Sequence, residues 1–510
     1  MIETGLQKRR LIINAIMQMT QVIVNGCVLF ILYRFLIHAL GFEQLGIWSI
    51  VTATTSIANV ANLGLFASNV KFVAKYFARG EEKIIHQVIQ TSTVSIGVFI
   101  GLILLIAFPL AYWLLGLLVP TANLGDALAI LPYTLLSLWI VAVSSTFQAS
   151  LDGFQRYDLR NAILIISSLI YLFLSFIMVP IYGLMGLAYS QVIQAFILMA
   201  GSWYLLKRRL PHLPIISYHW DQGMFKEMVG YGIKFQAYPI GHMVFEFTSK
   251  ALVTKFGGLT MVALYEMAAR MLWQLRTLLV SANQVIVPSI ANLQEKNPNL
   301  IQKVYRDTYQ LMLFIALPFY SMIMALTPLI SLIWIGHYET LFVLFSLLLA
   351  IGLFINTLSV PAYFSYLGIG DLKWNVLGHI AMVLLNAILG MSIGYLFGGA
   401  WVVGMSVVAT VAGSLMIAVS FFYRYKLPFS EIFPRENIGL AAACLLAIVS
   451  SLYIHHQFYP RVGAIVLPSI AILVFAAIII VPLWGHPMRK RIIGWISGEL
   501  WNKKVIISEE

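Results

Sequence analysis

Hydrophobic runs long enough to cross a bilayer recur along this chain, and its basic residues fall in every second gap between them. A span needs about 20 mostly apolar residues. Such runs lie at approximately 11–36, 46–69, 88–118, 127–149, 162–180, 183–206, 231–254, 260–290, 309–334, 341–367, 375–396, 399–422, 438–455 and 462–484. Of the 32 Lys and Arg, 25 sit on one side of these runs, 3 on the other (Arg34, Lys255 and Arg461) and 4 within them. Cytoplasmic loops carry the Lys/Arg excess in membrane proteins. The alternation therefore predicts an all-α polytopic membrane protein of about fourteen helices, with both termini in the cytoplasm.

A composition of 60% hydrophobic and 10% charged residues excludes an ordinary soluble domain. In a soluble protein the net charge of +12 would suggest nucleic acid. Here short inside loops facing anionic headgroups account for it, and no nucleic-acid partner is expected. Lys8, Arg9 and Arg10 precede the first run, which extends to about Ile37 without a small-residue cleavage site. It is expected to remain as a first span rather than to be removed as a signal peptide. Cys27 and Cys444 both lie in apolar segments, which leaves no disulfide framework and no Cys-based metal site.

The chain repeats itself. Tyr182-Gly-Leu-Met-Gly-Leu-Ala-Tyr-Ser190 opens the sixth span, and Phe397-Gly-Gly-Ala-Trp-Val-Val-Gly-Met-Ser406 opens the twelfth about 215 residues later. Gly46-Ile-Trp48 at the second span and Ala263-Leu-Tyr265 at the eighth are offset by 217, and Asn161 and Asn375 by 214. Three matches at nearly one offset define a repeat. Six spans per repeat is an even number, so both halves enter the membrane in the same sense, related by a pseudo-two-fold along the membrane normal. The expected organisation is a six-helix lobe over 1–210, a cytoplasmic linker over 211–230 marked by Pro211 and Pro214, and a second lobe over 231–426. Two extra helices (427–485) and a basic amphipathic tail (486–510) follow. In that tail Ile492, Ile493, Ile496 and Leu500 are spaced as on a helix lying at the inner leaflet, between Arg489-Lys-Arg491 and Lys503-Lys504. A frayed basic end is the plainer alternative.

Ionisable groups within a bilayer are costly and mark candidate sites. The seventh and eighth spans hold Lys234, Glu246, Lys250, Glu266, Arg270 and Arg276, whereas the first half has little beyond Arg34. Glu246/Lys250 and Glu266/Arg270 are each spaced i,i+4 and can pair on one helix face. Either they are self-satisfied pairs that make two helices tolerable in lipid, or Lys250, Arg270, Arg276 and Arg34 line a hydrated cavity suited to a phosphate or pyrophosphate. Lys71 and Lys75 at the inner mouth either attract the same anion or form an ordinary inside loop. Asn14, Gln18, Gln21 and Asn25 form a stripe on the first span, continued by Gln274, Asn283 and Gln284 on the eighth. Such a stripe bonds neighbouring helices or meets sugar hydroxyls in a cavity. His38, His242, His337 and His379 are read as structural hydrogen-bonders more readily than as proton carriers. Gly97/Gly101 and Gly390/Gly394 permit close helix packing. Pro109, Pro239, Pro288, Pro318 and Pro361 are expected to kink their helices. No Walker A loop, metal-spaced His/Cys cluster or nucleophile elbow is present, so neither an enzyme nor a cofactor is expected.

Leu40-Gly-Phe-Glu-Gln-Leu-Gly46-Ile-Trp48, Asp152-Gly-Phe-Gln-Arg156, and Ala263-Leu-Tyr265-Glu-Met-Ala-Ala-Arg270 leading to Pro288-Ser-Ile-Ala complete the pattern. Together with two six-span repeats and two extra spans, they resemble polysaccharide-transport flippases of the multidrug/oligosaccharidyl-lipid/polysaccharide exporter superfamily. The resemblance implies export of an undecaprenyl-pyrophosphate-linked oligosaccharide, such as an O-antigen or capsule unit, across the bacterial inner membrane by alternating access. By location it implies that Lys250, Arg270 and Arg276 receive the pyrophosphate; Arg34, Asn25 and Gln274 join them as candidate substrate-binding residues from the residue pattern itself. Cation coupling, by H+ or Na+, would fall to Glu246 and Glu266. Glycosyltransferases and a polysaccharide polymerase would be its partners. A cation-coupled multidrug exporter, a membrane-embedded polymerase and a non-transporting assembly scaffold are the competing readings.

Overall fold

A backbone in hydrocarbon must satisfy its own N–H and C=O groups, and a chain this apolar does so with helices. The computed structural model describes residues 2–56, 64–215, 217–233, 236–283, 286–427, 435–458 and 466–496, and they contain no strand. The helices are α1 (Ile2–Ser56), α2 (Leu65–Ala78), α3 (Glu82–Leu118), α4 (Thr121–Gly153), α5 (Tyr157–Tyr182), α6 (Leu184–Lys207), α7 (Gln222–Gly232) and α8 (Ala237–Asn283). They continue with α9 (Ile286–Lys296), α10 (Leu300–Trp334), α11 (Thr340–Ile369), α12 (Lys373–Phe397), α13 (Gly399–Arg424), α14 (Arg435–Phe458), α15 (Val466–Gly485) and α16 (Pro487–Ile496). Among the described residues, 10 helices are long and apolar enough to cross a membrane, or 11 if the bent pair Ser469–Gly485 and Pro487–Gly494 counts as one span.

The expected count of about fourteen is met because α1 and α8 are each two spans joined at a glycine. Gly41 has φ 80° and ψ 174°, and Gly258 has φ 80° and ψ −179°. Only glycine adopts that region without strain. The corners are 217 residues apart, the offset already seen between Gly46-Ile-Trp48 and Ala263-Leu-Tyr265. Each half thus opens with two long arms folded about a glycine. The prolines do not interrupt their helices. Helices α3, α10 and α11 run on through Pro109, Pro318 and Pro361. Pro239 and Pro288 fall in the first turns of α8 and α9, where a missing N–H removes no helical bond.

Two compact units emerge, one comprising 1–274 with 383–405 and the other 275–382 with 406–510. The division passes through α8, α12 and α13, so the first arm of α8 and the corner-side parts of α12 and α13 belong with the first half of the chain. In the first unit α4 packs on α2, α3 and α6, and α5 on α1 and α6. A Cβ on Gly46 would stand 2.1 Å from the Leu259 carbonyl oxygen, so α1 and α8 meet backbone to backbone beside the corners. Gly390 and Gly394 admit Leu252 and Phe256 of α8 in the same way, whereas Gly97 and Gly101 face Val143 and Trp139 with more room.

The segment expected as a linker is docked rather than loose. Asp221 caps α7 by accepting from the Met224 N–H at 2.6 Å. Trp220 donates to Ser95 Oγ at 3.0 Å, and Ser68 to the Met228 carbonyl at 2.6 Å. In the second unit α10 packs on α11, α14 and α15 around Tyr305, Tyr309, Tyr366 and Phe421. The two helices outside the repeat therefore complete its core. Arg491 of α16 lies 3.7 Å from Asp307 on α10, so the start of the tail is a docked helix. Residues 497–510, with Leu500, Lys503 and Lys504, lie outside the described residues, as do Lys234, Gln284 and Arg461.

Replacing Gly41 or Gly258 by Ala forces a side chain into a glycine-only conformation at a cost of about 1–3 kcal/mol. Thermal unfolding in detergent should show a lowered midpoint for each. Gly404→Ala, at a position with open space around its Cβ, should leave the midpoint unchanged or raise it.

Candidate functional site

Four charges on α8 are placed symmetrically about its corner. Lys250 precedes Gly258 by eight residues and Glu266 follows it by eight; Glu246 and Arg270 stand twelve away on either side. Folding the two arms together brings equal distances opposite one another. At 1.5 Å per residue the inner pair sits about 12 Å along the arms from the corner, deep within a core about 30 Å thick.

The two i,i+4 pairs accordingly join into one network. Lys250 Nζ lies 2.7 Å from Glu246 Oε1 and 2.7 Å from Glu266 Oε2. Arg270 Nε donates to Glu266 Oε1, and the Tyr33 hydroxyl of α1 donates to the same oxygen at 3.4 Å. Lys250 and Glu266 side chains are 2% exposed, Glu246 40% and Arg270 44%. Two carboxylates balance two cations. Lys250 is bracketed by the two carboxylates, whereas Arg270, bonded to Glu266 through Nε, belongs to the more exposed side of the network. Beside the network Asn386 Nδ2 donates to Ser249 Oγ at 2.9 Å, and His242 stacks edge-on to Trp273 at 4.6 Å.

The other expected positions are dispersed. Arg34 is exposed, one residue beyond Tyr33. Gln274 Nε2 donates to the Val22 carbonyl at 2.6 Å, and its side chain lies against Gly26, next to Asn25. Asn25 Oδ1 is buried with no hydrogen-bond partner among the described residues. Arg276 is buried and belongs to the second unit. The polar stripe of α1 divides. Asn14 donates to the Gln155 carbonyl and accepts from the Asp158 N–H, both at 3.2 Å, and Gln18 accepts from Asn161 at 3.1 Å. Those two residues fasten α1 to the α4–α5 connection and to α5. Lys71 and Lys75 hold α7, the first with its ammonium 3.7 Å from the Tyr231 ring centroid, the second 3.9 Å from Glu227.

Tyr33 and the Lys250–Glu266 bridge are the features that spacing within single spans misses. A signal for both was present. Tyr33 stands 217 residues before Lys250, as Gly41 does before Gly258, so it occupies the equivalent place in the first repeat.

A two-armed corner opening each half, with a buried ion-pair network at the second, defines a multi-pass helical membrane protein with internally duplicated halves. Its fold is shared with transporters of known structure. The lipid II flippase MurJ in an inward closed conformation aligns at a TM-score of 0.67 and 14% identity, over 92% of this chain and 98% of that one. A multidrug resistance MATE family transporter of the MOP superfamily, inward-facing, aligns at 0.65 and 14% identity, over 81% and 98%. A MOP superfamily transporter from Pyrococcus furiosus Vc1, described as having a binding pocket of reversed polarity, aligns at 0.56 and 14% identity, over 82% and 94%. No curated protein matches the chain significantly. The family model for polysaccharide biosynthesis proteins matches residues 31–340, and the chain belongs to that family.

Removing Lys250 leaves two carboxylates without their shared cation, a change that typically costs about 3–5 kcal/mol when the pair is buried. Lys250→Met should lower the thermal midpoint in detergent far more than Arg270→Ala does. Lys250→Met combined with Glu266→Gln should recover part of the loss, because the two residues are coupled. Strictly additive losses would show that no network exists.

Proposed function

We propose that the protein is a flippase that carries an undecaprenyl-pyrophosphate-linked oligosaccharide from the inner to the outer leaflet of the bacterial inner membrane, for surface polysaccharide synthesis. In this reading the Lys/Arg-rich loops and both termini are cytoplasmic. The observation that carries it is the partly exposed Arg270 side chain, bonded through Nε to a Glu266 that Lys250 also holds, on the folded arms of α8. A charge kept within a membrane span is expensive and marks a candidate site. Membership of the polysaccharide biosynthesis family supports a sugar-bearing substrate, and the fold shared with transporters supports a path across the membrane.

Arg270 receives the pyrophosphate through its free edge, since a guanidinium binds phosphate in a forked geometry and stays charged when partly dry. Lys250 acts as a positioning residue that holds Glu266 against Arg270. Arg34 adds positive charge along the route, and Arg276 is a further candidate cation by its place in the sequence. Asn25 and Gln274 offer hydrogen bonds to sugar hydroxyls. Glu246, the more exposed carboxylate, is where a coupling H+ or Na+ would act; Glu266 is committed to the network. The direction is favoured because outward movement of negative charge across an inside-negative potential gains roughly 2.3 kcal/mol per charge per 100 mV. The protein makes and breaks no covalent bond and needs no cofactor. Glycosyltransferases supply its substrate, and a polymerase consumes it on the other leaflet.

Complementation of a flippase-deficient bacterium tests this, with surface polysaccharide scored at matched expression. The wild type should rescue. Arg270→Ala should reduce rescue by roughly tenfold or more, the loss expected for a hydrogen bond to a charged group. Arg270→Lys, which keeps the charge and loses the fork, should rescue in part. Full rescue by Arg270→Ala would remove Arg270 from the substrate path. Absence of any rescue, joined to export of cationic drugs driven by an ion gradient, would favour a multidrug exporter.

A further inference from the structure

The first unit contains a second chemical feature, remote in sequence from the charged network. A cavity of about 570 Å³ lies between α3, α4 and α6, walled by Val98, Trp139, Val143, Phe147, Met199 and Trp203 and bordered by Ile215 beyond α6. That volume falls within the range of about 300–1,000 Å³ typical of ligand sites. Its lining is almost wholly apolar, and three of the polar side chains in its walls are engaged within the protein. The Trp139 indole donates to the Gly97 carbonyl at 2.8 Å, the Trp203 indole to the Pro214 carbonyl at 3.2 Å, and Thr93 to the Ile89 carbonyl at 2.8 Å. Val98 is 53% and Ile215 75% exposed, so the wall continues onto the outer surface of the unit.

The sequence places charge at one end of it. One turn beyond Trp203 come Lys207 and Arg208, the Lys207 ammonium lying 4.9 Å from the Trp203 ring centroid and the Arg208 guanidinium 5.0 Å from that of Tyr204. Between Lys207 and Lys226 there is one carboxylate, Asp221, and it is engaged in capping α7. An apolar cavity with Lys207 against its wall residue Trp203 and Arg208 next in sequence, at the basic end of a membrane bundle, has the polarity of a lipid: an apolar chain below a phosphate.

We propose that this cavity is a binding site for an anionic phospholipid of the leaflet at the basic end of the bundle. One acyl chain lies against Trp139, Phe147 and Trp203, and the headgroup phosphate lies against Lys207 and Arg208. The occupant is a bilayer lipid rather than a transported one, because the walls belong entirely to the first half of the chain and hold none of the charged groups of α8. The seated chain also fastens the segment around Ile215, which joins α6 to the docked α7. The site stands apart from the flippase reading and requires no movement of substrate.

Native mass spectrometry of the full-length protein in detergent, with equal amounts of phosphatidylglycerol and phosphatidylcholine, tests the proposal. The wild type should retain one phospholipid, with phosphatidylglycerol preferred. Gly97→Leu places its side chain in the cavity, where a Cβ meets only Val143 at 3.9 Å, and should abolish retention of either lipid. Ala200→Leu fills the same space from α6 and replaces the first variant should that one fail to fold, as judged by monodisperse elution. Lys207→Gln with Arg208→Gln should keep a lipid bound while its preference for phosphatidylglycerol falls roughly fivefold per charge removed. Equal retention by wild type and cavity-filling variants, or no headgroup preference in the wild type, would overturn the proposal. Displacement of phosphatidylglycerol by an equal amount of undecaprenyl phosphate would overturn the assignment to a bilayer phospholipid.

Discussion

Hydrocarbon gives no hydrogen bonds, and that constraint governs this chain from backbone to side chain. The backbone answers with helices, and among the described residues it turns within α1 and α8 at Gly41 and Gly258, where the residue tolerates extended dihedrals at positive φ. The side chains answer by pairing. Serine and threonine hydroxyls donate to carbonyls one turn back, as Ser92 does to Val88 and Thr254 to Lys250. The buried charges on α8 close upon one another. Both responses follow from the same cost of leaving a polar group unmet.

The two halves share a backbone plan and differ in what hangs on it. Applying the 217-residue offset, Leu29, Tyr33, Ser49 and Ala53 of the first half stand where Glu246, Lys250, Glu266 and Arg270 stand in the second. At these four positions the first half is uncharged and the second charged. The Tyr33 hydroxyl on Glu266 is one polar contact between α1 and α8, and Gln274 on the Val22 carbonyl is another. Such asymmetry is what a site for an asymmetric ligand requires, with apolar surface on one wall and charge on the other.

Much of this was legible in the sequence. The span pattern, the duplication and the candidate charges follow from hydropathy and spacing, because each reflects local chemistry along one helix. What spacing within a span cannot reach is contact between spans. Lys71 and Lys75 read as loop charges, yet they hold α7. Asn14 and Gln18 could have lined a cavity, yet they hold α5 and the connection before it. The Lys250–Glu266 bridge joins residues on different arms and becomes visible only when positions are counted outward from Gly258.

Charge on α8 also bears on how the protein is made. The helix is not among those apolar enough to cross a membrane on composition, so neither arm is a strong insertion signal by itself. Antiparallel arms that neutralise each other through Lys250 and Glu266 present the bilayer with a far smaller penalty than either does singly. Biosynthesis should therefore deliver α8 as a hairpin, its arms entering together after the preceding spans are in place. A translocating chain would be sensitive to the order in which those two charges leave the ribosome, long before any substrate meets them.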